Sequence, residues 1–342
     1  MEEKRNFDLL TLGQVLLRLS PPNNDRLVRG DTFVKQVGGA ELNVAVGVAL
    51  LGLRTGVISK LPSHDMGSFM KGKIRSYGVS DDFFMYDDSP SARVGIYYYE
   101  NGAYPRKPKV IYDRANSSFY SLKIDEIPEK AYTASRCFHT SGITLALSPK
   151  VRETTIEMIK RFKAAGTLVC FDVNFRGNLW TGEEARECIE QILPYVDIFF
   201  CSEDTARLTF KKTGTAREMM KSFTEEYPIS IVASTQRIVH SPKSHTFGSI
   251  IYDARKDIYY EEEPYRDIDV VDRIGSGDAY ISGALYGLLT SNFDCEKAVR
   301  YGNATSAVKN TIPGDLPSSD LEEIETIIKA HNQTGFQSEM AR

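Results

Sequence analysis

Asp272-Arg273-Ile274-Gly275-Ser276-Gly277-Asp278-Ala279, running into Tyr280-Ile281-Ser282-Gly283-Ala284-Leu285-Tyr286-Gly287-Leu288-Leu289, reads as a glycine turn, an aspartate and then an amphipathic helix. Gly275 and Gly277 let the backbone turn tightly and bring its N–H groups close to an anion, because no Cβ blocks a positive φ or the ligand. The helix that follows adds free N–H donors and the positive end of its dipole at the same spot. Asp278 sits at the mouth of this anion pocket. A hydroxyl docked there can give its proton to Asp278 while the N–H groups of Gly275, Ser276 and Gly277 hold the charge on a phosphoryl group in transfer. The same residues would also serve as a loop capping a helix, with Asp278 in the first turn for its dipole. The stretch is neither a Walker loop, since no Gly-Lys-Ser/Thr follows, nor a dinucleotide fingerprint, since it opens a late helix.

A second glycine pair lies far upstream, in Gly38-Gly39-Ala40-Glu41-Leu42-Asn43-Val44-Ala45, followed by Leu51-Gly52. Gly38 and Gly39 would let the chain pass close to a substrate at a helix start, and Asn43 would point an amide at its hydroxyls. The competing reading is a helix start in which Glu41 favours the dipole and Asn43 is merely solvated. In this order the two stretches resemble the amino- and carboxy-terminal signatures of the ribokinase-like, or PfkB-type, carbohydrate kinases. The usual family form has proline where Glu41 stands; Glu41 with Leu42 resembles a narrower branch, the 2-keto-3-deoxygluconate kinases. The resemblance covers nearly the whole chain. It implies one ribokinase-like domain over 1–332, a three-layer α/β/α fold with a mainly parallel central sheet and a small projecting β lid.

Composition agrees with that placement. A chain of 342 residues, 42% hydrophobic, holds one large α/β domain or two modest ones. The net charge of −4 argues against nucleic acid. Five scattered cysteines form neither a metal-ligand spacing nor a disulfide framework, which suits a reduced, cytoplasmic setting. The charged start Met1-Glu2-Glu3-Lys4-Arg5-Asn6 has no signal-peptide core, and no apolar run is long enough to span a bilayer, so no membrane partner is expected.

Short apolar runs alternate with amphipathic ones, the pattern of a parallel sheet covered on both faces. Strands are predicted near 9–13, 55–60, 137–141, 168–172, 198–201 and 229–234, and helices near 41–51, 67–77, 149–165, 182–193, 203–209 and 216–225. Two β-favouring segments, about 14–36 and 92–115, break the rhythm, the second containing Val94-Gly95-Ile96-Tyr97-Tyr98-Tyr99. They are expected to form the lid, which in many family members also supplies a dimer interface, so a homo-oligomer through the lid is expected. Residues 333–342 read as a frayed tail.

An acid sugar calls for a fixed cation with planar donors, which arginine supplies. Arg114 follows Tyr112, and Arg176 follows Phe171-Asp172-Val173-Asn174-Phe175 at the carboxyl end of a predicted strand, where open α/β sheets bind ligands. Gly38 or Gly39, Tyr97, Tyr112, Arg114 and Arg176 match positions that the resemblance implies hold the acid sugar, with Arg176 as the carboxylate clamp; surface salt bridges are the alternative for both arginines. Tyr98 and Tyr99 are assigned to packing or an interface. The resemblance also makes Asp315, in Ile312-Pro313-Gly314-Asp315, a second carboxylate toward the substrate hydroxyls, against a plain turn. For the nucleotide it implies Arg273 on a phosphate, Ser202 at the phosphate edge, the loop Ser234-Thr235-Gln236-Arg237, and Asn303 in the adenine pocket.

One departure concerns the metal. Many family members carry Asn-x-x-Glu after the strand ending near Phe200, where this chain has Cys201-Ser202-Glu203-Asp204-Thr205. Magnesium still has nucleotide phosphates to neutralise and usually keeps several waters. Glu203, through water, is assigned to it, with a helix-start acid as the alternative; potassium dependence stays open. The function so implied is an ATP-dependent sugar-acid kinase acting on the terminal (C6) hydroxyl of 2-keto-3-deoxygluconate. The rivals are a kinase of fructose, ribose, a nucleoside or 5-keto-2-deoxygluconate on the same fold, a non-catalytic sugar- or nucleotide-binding regulator, and last a dinucleotide-dependent oxidoreductase.

Overall fold

Leu168-Val169-Cys170-Phe171-Asp172 shows why the centre of the molecule is a sheet covered on both faces. Val169 and Phe171 face one apolar core, and Cys170 between them faces another. The structure, a computed structural model, describes residues 5–331; the tail expected over 333–342 lies outside the described residues. Its strands are β1 (Phe7–Leu12), β2 (Leu16–Ser20), β3 (Val34–Gly38), β4 (Thr55–Pro62), β5 (Ser80–Asp87), β6 (Gly95–Glu100), β7 (Lys109–Asp113), β8 (Ser135–Ser141), β9 (Leu168–Asp172), β10 (Ile198–Phe200), β11 (Ile231–Ser241), β12 (Ser244–Asp253), β13 (Ile258–Glu261) and β14 (Tyr265–Asp269). Ten of them form the main sheet in the order β13-β12-β11-β10-β9-β8-β1-β4-β5, with β14 also paired to β12. The pairings from β5 to β11 are parallel, and β12, β13 and β14 add an antiparallel edge.

Helices Pro149–Ala164, Gly182–Glu190 and Ala216–Glu226 bury one sheet face, against Leu10, Phe138, Phe171 and Phe199. Helices Ala40–Leu50, Ser276–Thr290 and Cys295–Asn310 bury the other, where Leu9, Cys137, Ile198 and Ile231 point. This is the expected three-layer ribokinase-like arrangement. Local chemistry sets the helix starts: Ser148 accepts from Val151 N ahead of Pro149, and Thr181 with Glu184 and Thr215 with Glu218 form capping boxes. Helix Ser276–Thr290 is buried nearly all round rather than amphipathic, because it lies between helices Ala40–Leu50 and Cys295–Asn310. It crosses the former at Gly47, where a Cβ would come within 2.3 Å of Ser282 Oγ.

The four strands left over form the second sheet, β3-β2-β6-β7. Segment 14–36 is two strands, separated by a 3-10 turn at Pro22–Asn24 and an exposed loop, and segment 92–115 supplies the other two. Two boundaries differ clearly from the sequence reading. Strand β11 runs on to Ser241 instead of ending near 234, because β12 returns beside it as a hairpin. The helix expected over 182–193 ends at Glu190, with a separate turn at Leu193–Tyr195 around Pro194. Strand β5 and the antiparallel edge had no counterpart in that reading.

Candidate active site

The two glycine signatures meet at the carboxyl ends of the parallel strands. Gly275 adopts φ +80, and a Cβ there would fall 2.1 Å from the carbonyl oxygen of Asp315. Gly39 adopts φ +137, with Gln14 O 2.5 Å from where a Cβ would stand. Both turns therefore require glycine, sterically and conformationally. Gly275→Ala is expected to cost about 2–5 kcal/mol of stability, from a left-handed L-residue and backbone overlap together, as chemical denaturation would show. Gly277 differs: a Cβ there would meet nothing within 4 Å, so the missing side chain leaves open space against the helix N-terminus.

That space belongs to a cavity of about 560 Å³ whose wall takes in both signatures, the lid and the ends of the central strands. Asp278 lines it from the first turn of its helix, and its Oδ2 accepts from Asn43 Nδ2 at 2.7 Å, tying one signature to the other. Burial pushes the Asp278 carboxyl up to about 7; Asn43 and Arg176 pull it down, while Glu41 and Asp315 push it further up. Asp172, at the end of β9, lines the same wall and is also raised to about 7, by burial first and then by Asp278. Two carboxyls near neutrality in one cavity suit proton transfer.

Of the residues singled out from the sequence, Asn43, Gly39, Tyr97, Tyr112, Arg114, Arg176, Gly275, Ser276, Asp278 and Asp315 share this wall. The Arg176 guanidinium donates only to the neighbouring Phe175 O, at 3.1 Å, and has no ion-pair partner among the described residues. Arg114 is 8% exposed, donates from Nε to Gln14 Oε1 at 2.8 Å and lies over the Tyr112 ring. Tyr97 and Tyr99 face one way and are buried, whereas Tyr98 packs against Phe33. The Tyr97 hydroxyl donates to the Asp315 carboxylate, 2.5 Å from either oxygen. Gly38 stands behind the wall: a Cβ there would collide with Asp315 Oδ2 at 2.2 Å, so its absence makes room for that carboxylate.

Arg273, Thr235, Arg237 and Ser202 line the same cavity. Arg237 and Arg273 have no ion-pair partner among the described residues; burial, and then Arg273, lowers the pKa of Arg237. Two adjacent unpaired guanidiniums form an anion site. Ser234 is buried behind Thr235, outside the wall. Asn303 is also held elsewhere, accepting from Ser249 Oγ at 2.7 Å and donating to Glu262 Oε1 at 3.1 Å. Glu203 pairs with Arg207 at 2.9 Å and is outside the wall, which Thr205 reaches instead. No cluster of three or more His, Cys, Asp or Glu among the described residues could hold a metal by itself.

Several wall residues escaped the sequence reading. Glu41 is not a surface helix-start acid: it is 2% exposed and accepts from Ser141 Oγ at 2.6 Å and Thr144 Oγ1 at 2.7 Å. Burial raises its pKa, with those two hydroxyls opposing. Gln14, Asp172, Asn174 and Thr205 were also missed. Asp172 and Asn174 lay within a quoted stretch, and period-2 alternation from β9 was the signal that could have found them.

Residues 6–320 match the sequence profile of the pfkB family carbohydrate kinases. A 2-dehydro-3-deoxygalactonokinase of Haloferax volcanii is 34% identical over 94% of this chain and 96% of its own length. A 5-dehydro-2-deoxygluconokinase of Listeria monocytogenes is 27% identical over 95% and 97%. The crystal structure of a 2-dehydro-3-deoxygluconokinase from Thermotoga maritima superposes with a TM-score of 0.89 at 31% identity, covering 94% of this chain and 99% of that one. No helix among the described residues is long and apolar enough to cross a membrane. With its two glycine signatures on one cavity and residues 6–320 matched, the chain belongs to the pfkB family of carbohydrate kinases.

Proposed function

We propose that this sugar kinase transfers the γ-phosphoryl group of ATP to the C6 hydroxyl of a 2-keto-3-deoxy sugar acid, with 2-keto-3-deoxygluconate as the substrate and its galacto epimer as the alternative. The observation that carries the acid is Arg176: a guanidinium without an ion-pair partner, in the same cavity as Asp278. A neutral sugar gives such a group nothing to pair with, whereas a carboxylate accepts two of its N–H donors. The relative at 27% identity supports a second reading, 5-keto-2-deoxygluconate, which is also an acid.

In this reading Arg176 takes the substrate carboxylate, with Arg114 and Tyr112 beside it, and Asp315 and Asn43 face its hydroxyls. Asp278 takes the proton from the attacking hydroxyl, while the N–H groups at Gly275, Ser276 and Gly277 stabilise the phosphoryl in flight. Arg237, Arg273, Thr235 and Ser202 hold the nucleotide phosphates. Magnesium would come with those phosphates, would need few protein ligands, and would supply charge neutralisation there. The lid excludes water, which limits hydrolysis of ATP. Ile111 on β7, exposed and, unlike its neighbours Val110 and Tyr112, outside the cavity wall, supports a homo-oligomer through the lid.

Because Asp278 must be ionised to act, kcat/KM is expected to fall as pH drops below about 7 and to level off above it. The slope belongs to the coupled Asp278 and Asp172 pair, both raised to about 7. A flat profile between about pH 5.5 and 8 would exclude a base of this kind. The deciding assay couples ADP release to a panel of 2-keto-3-deoxygluconate, its galacto epimer, 5-keto-2-deoxygluconate, gluconate, fructose and ribose. Turnover only with a keto-deoxy acid is expected; turnover only with a neutral sugar refutes the acid site, and silence favours the binding regulator.

A further inference from the structure

Arg18 is a cation in the interior, 2% exposed, on lid strand β2 and outside the cavity wall. Its Nη1 donates to Asp315 Oδ1 at 2.8 Å, its Nη2 to Asp272 Oδ2 at 2.5 Å and its Nε to Ser20 Oγ at 2.8 Å, while the guanidinium lies 4.4 Å from the centre of the Tyr99 ring. Asp272 in turn holds two backbone turns: Oδ1 accepts from Ile274 N at 3.0 Å, and Oδ2 from Gly314 N at 3.1 Å. One side chain thus joins the lid, the turn that precedes the Gly275–Gly277 donors, and the turn that carries Asp315. Lys309 braces the same joint, its Nζ donating to Ile312 O at 3.1 Å and Asp272 O at 3.4 Å.

We propose that Arg18 is a positioning residue for the transfer reaction, fixing the Asp315 carboxylate and the glycine turn relative to the lid so that lid placement and alignment of the oxyanion donors are coupled. Planarity is what suits arginine here. A fork of fixed geometry spans two carboxylates at once, which an ammonium on a flexible stem does not. Two carboxylates near Tyr97 and Tyr99 would otherwise repel each other and drift apart. The proposal rests on the kinase reading but not on the identity of the acceptor, because Asp272 and the glycine turn serve any phosphoryl transfer.

The test takes the full chain with whichever acceptor the wild type phosphorylates, so a wrong substrate assignment shows up first and separately. Arg18→Met is expected to lower kcat about 100-fold, the order of loss for a displacement near 1 Å, with KM for ATP unchanged. Arg18→Lys is expected to recover only part of that loss. In an Asp315→Asn background the further effect of Arg18→Met on kcat should shrink without vanishing, because the Asp315 charge is gone while Asp272 still loses its partner. Folded Arg18→Met with kcat within twofold of wild type overturns the proposal, as does a loss that only tracks the folded fraction. If Arg18→Met does not fold, the charge-retaining Arg18→Lys decides: wild-type kcat in that variant overturns the proposal, and reduced kcat with unchanged KM for ATP supports it.

Discussion

Asp278→Asn is expected to leave ATP binding nearly as it is and to reduce turnover by about 10²–10⁴-fold, the range a positioned general base contributes. The substitution is close to isosteric, and its amide oxygen can still accept the Asn43 Nδ2–H bond seen at 2.7 Å, so the site should keep its shape. What it loses is the ability to take a proton. Near-normal turnover, measured by coupled ADP release alongside calorimetric ATP binding, would remove Asp278 from the base role. Stability should move the other way. In the folded protein the carboxyl is raised to about 7 from an ordinary 3.8, so the native state holds the proton longer than the unfolded chain does. Folding stability from this group is therefore full below the unfolded value and lost as pH rises towards about 7. The neutral amide carries no such cost. The variant should melt above the parent at pH near 8 and close to it at pH near 4, a gain in stability at the expense of activity.

Arg176→Met is expected to lower kcat/KM for the acid substrate by roughly 10–150-fold, the equivalent of about 1.5–3 kcal/mol for hydrogen bonds to a charged group. Most of the loss should appear in KM, since the carboxylate is held alike before and during transfer. Any weak turnover of fructose or ribose should hardly change. Arg114 cannot take over the whole role, because its Nε is already bound to Gln14 and its side chain is buried. Equal losses on acid and neutral acceptors would mean that Arg176 shapes the cavity rather than reading charge.

What was legible from sequence follows from the range of the physics involved. The turns at Gly39 and Gly275 declared themselves because a positive φ is a local demand and glycine is the residue that meets it cheaply. The central strands were legible from apolar runs that fill two cores. Arg18 was not: Leu16-Leu17-Arg18-Leu19-Ser20 reads as a strand with one solvated charge, and its partners arrive from 254 and 297 residues away. Glu41 likewise looked like a dipole acid until Ser141 and Thr144, 100 and 103 residues on, supplied hydroxyls to a buried carboxylate. Strand β5 opens with Ser80-Asp81-Asp82, which by composition resembles a turn. For Glu203 the alternative noted from sequence, a helix-start acid, is the position the structure shows, in an i,i+4 pair with Arg207.

The crossing of Gly47 and Ser282 works as a caliper. Asn43 and Asp278 each sit one helical turn before that crossing, at i−4 on their own helices, so the gap between the amide and the base is set by an interior contact where a single methyl would not fit. The lid and the strand ends lie outside the jaws. Substitutions there, Arg18 apart, can change which acceptor enters without resetting the gap, so one reaction centre can be inherited intact while its substrate drifts.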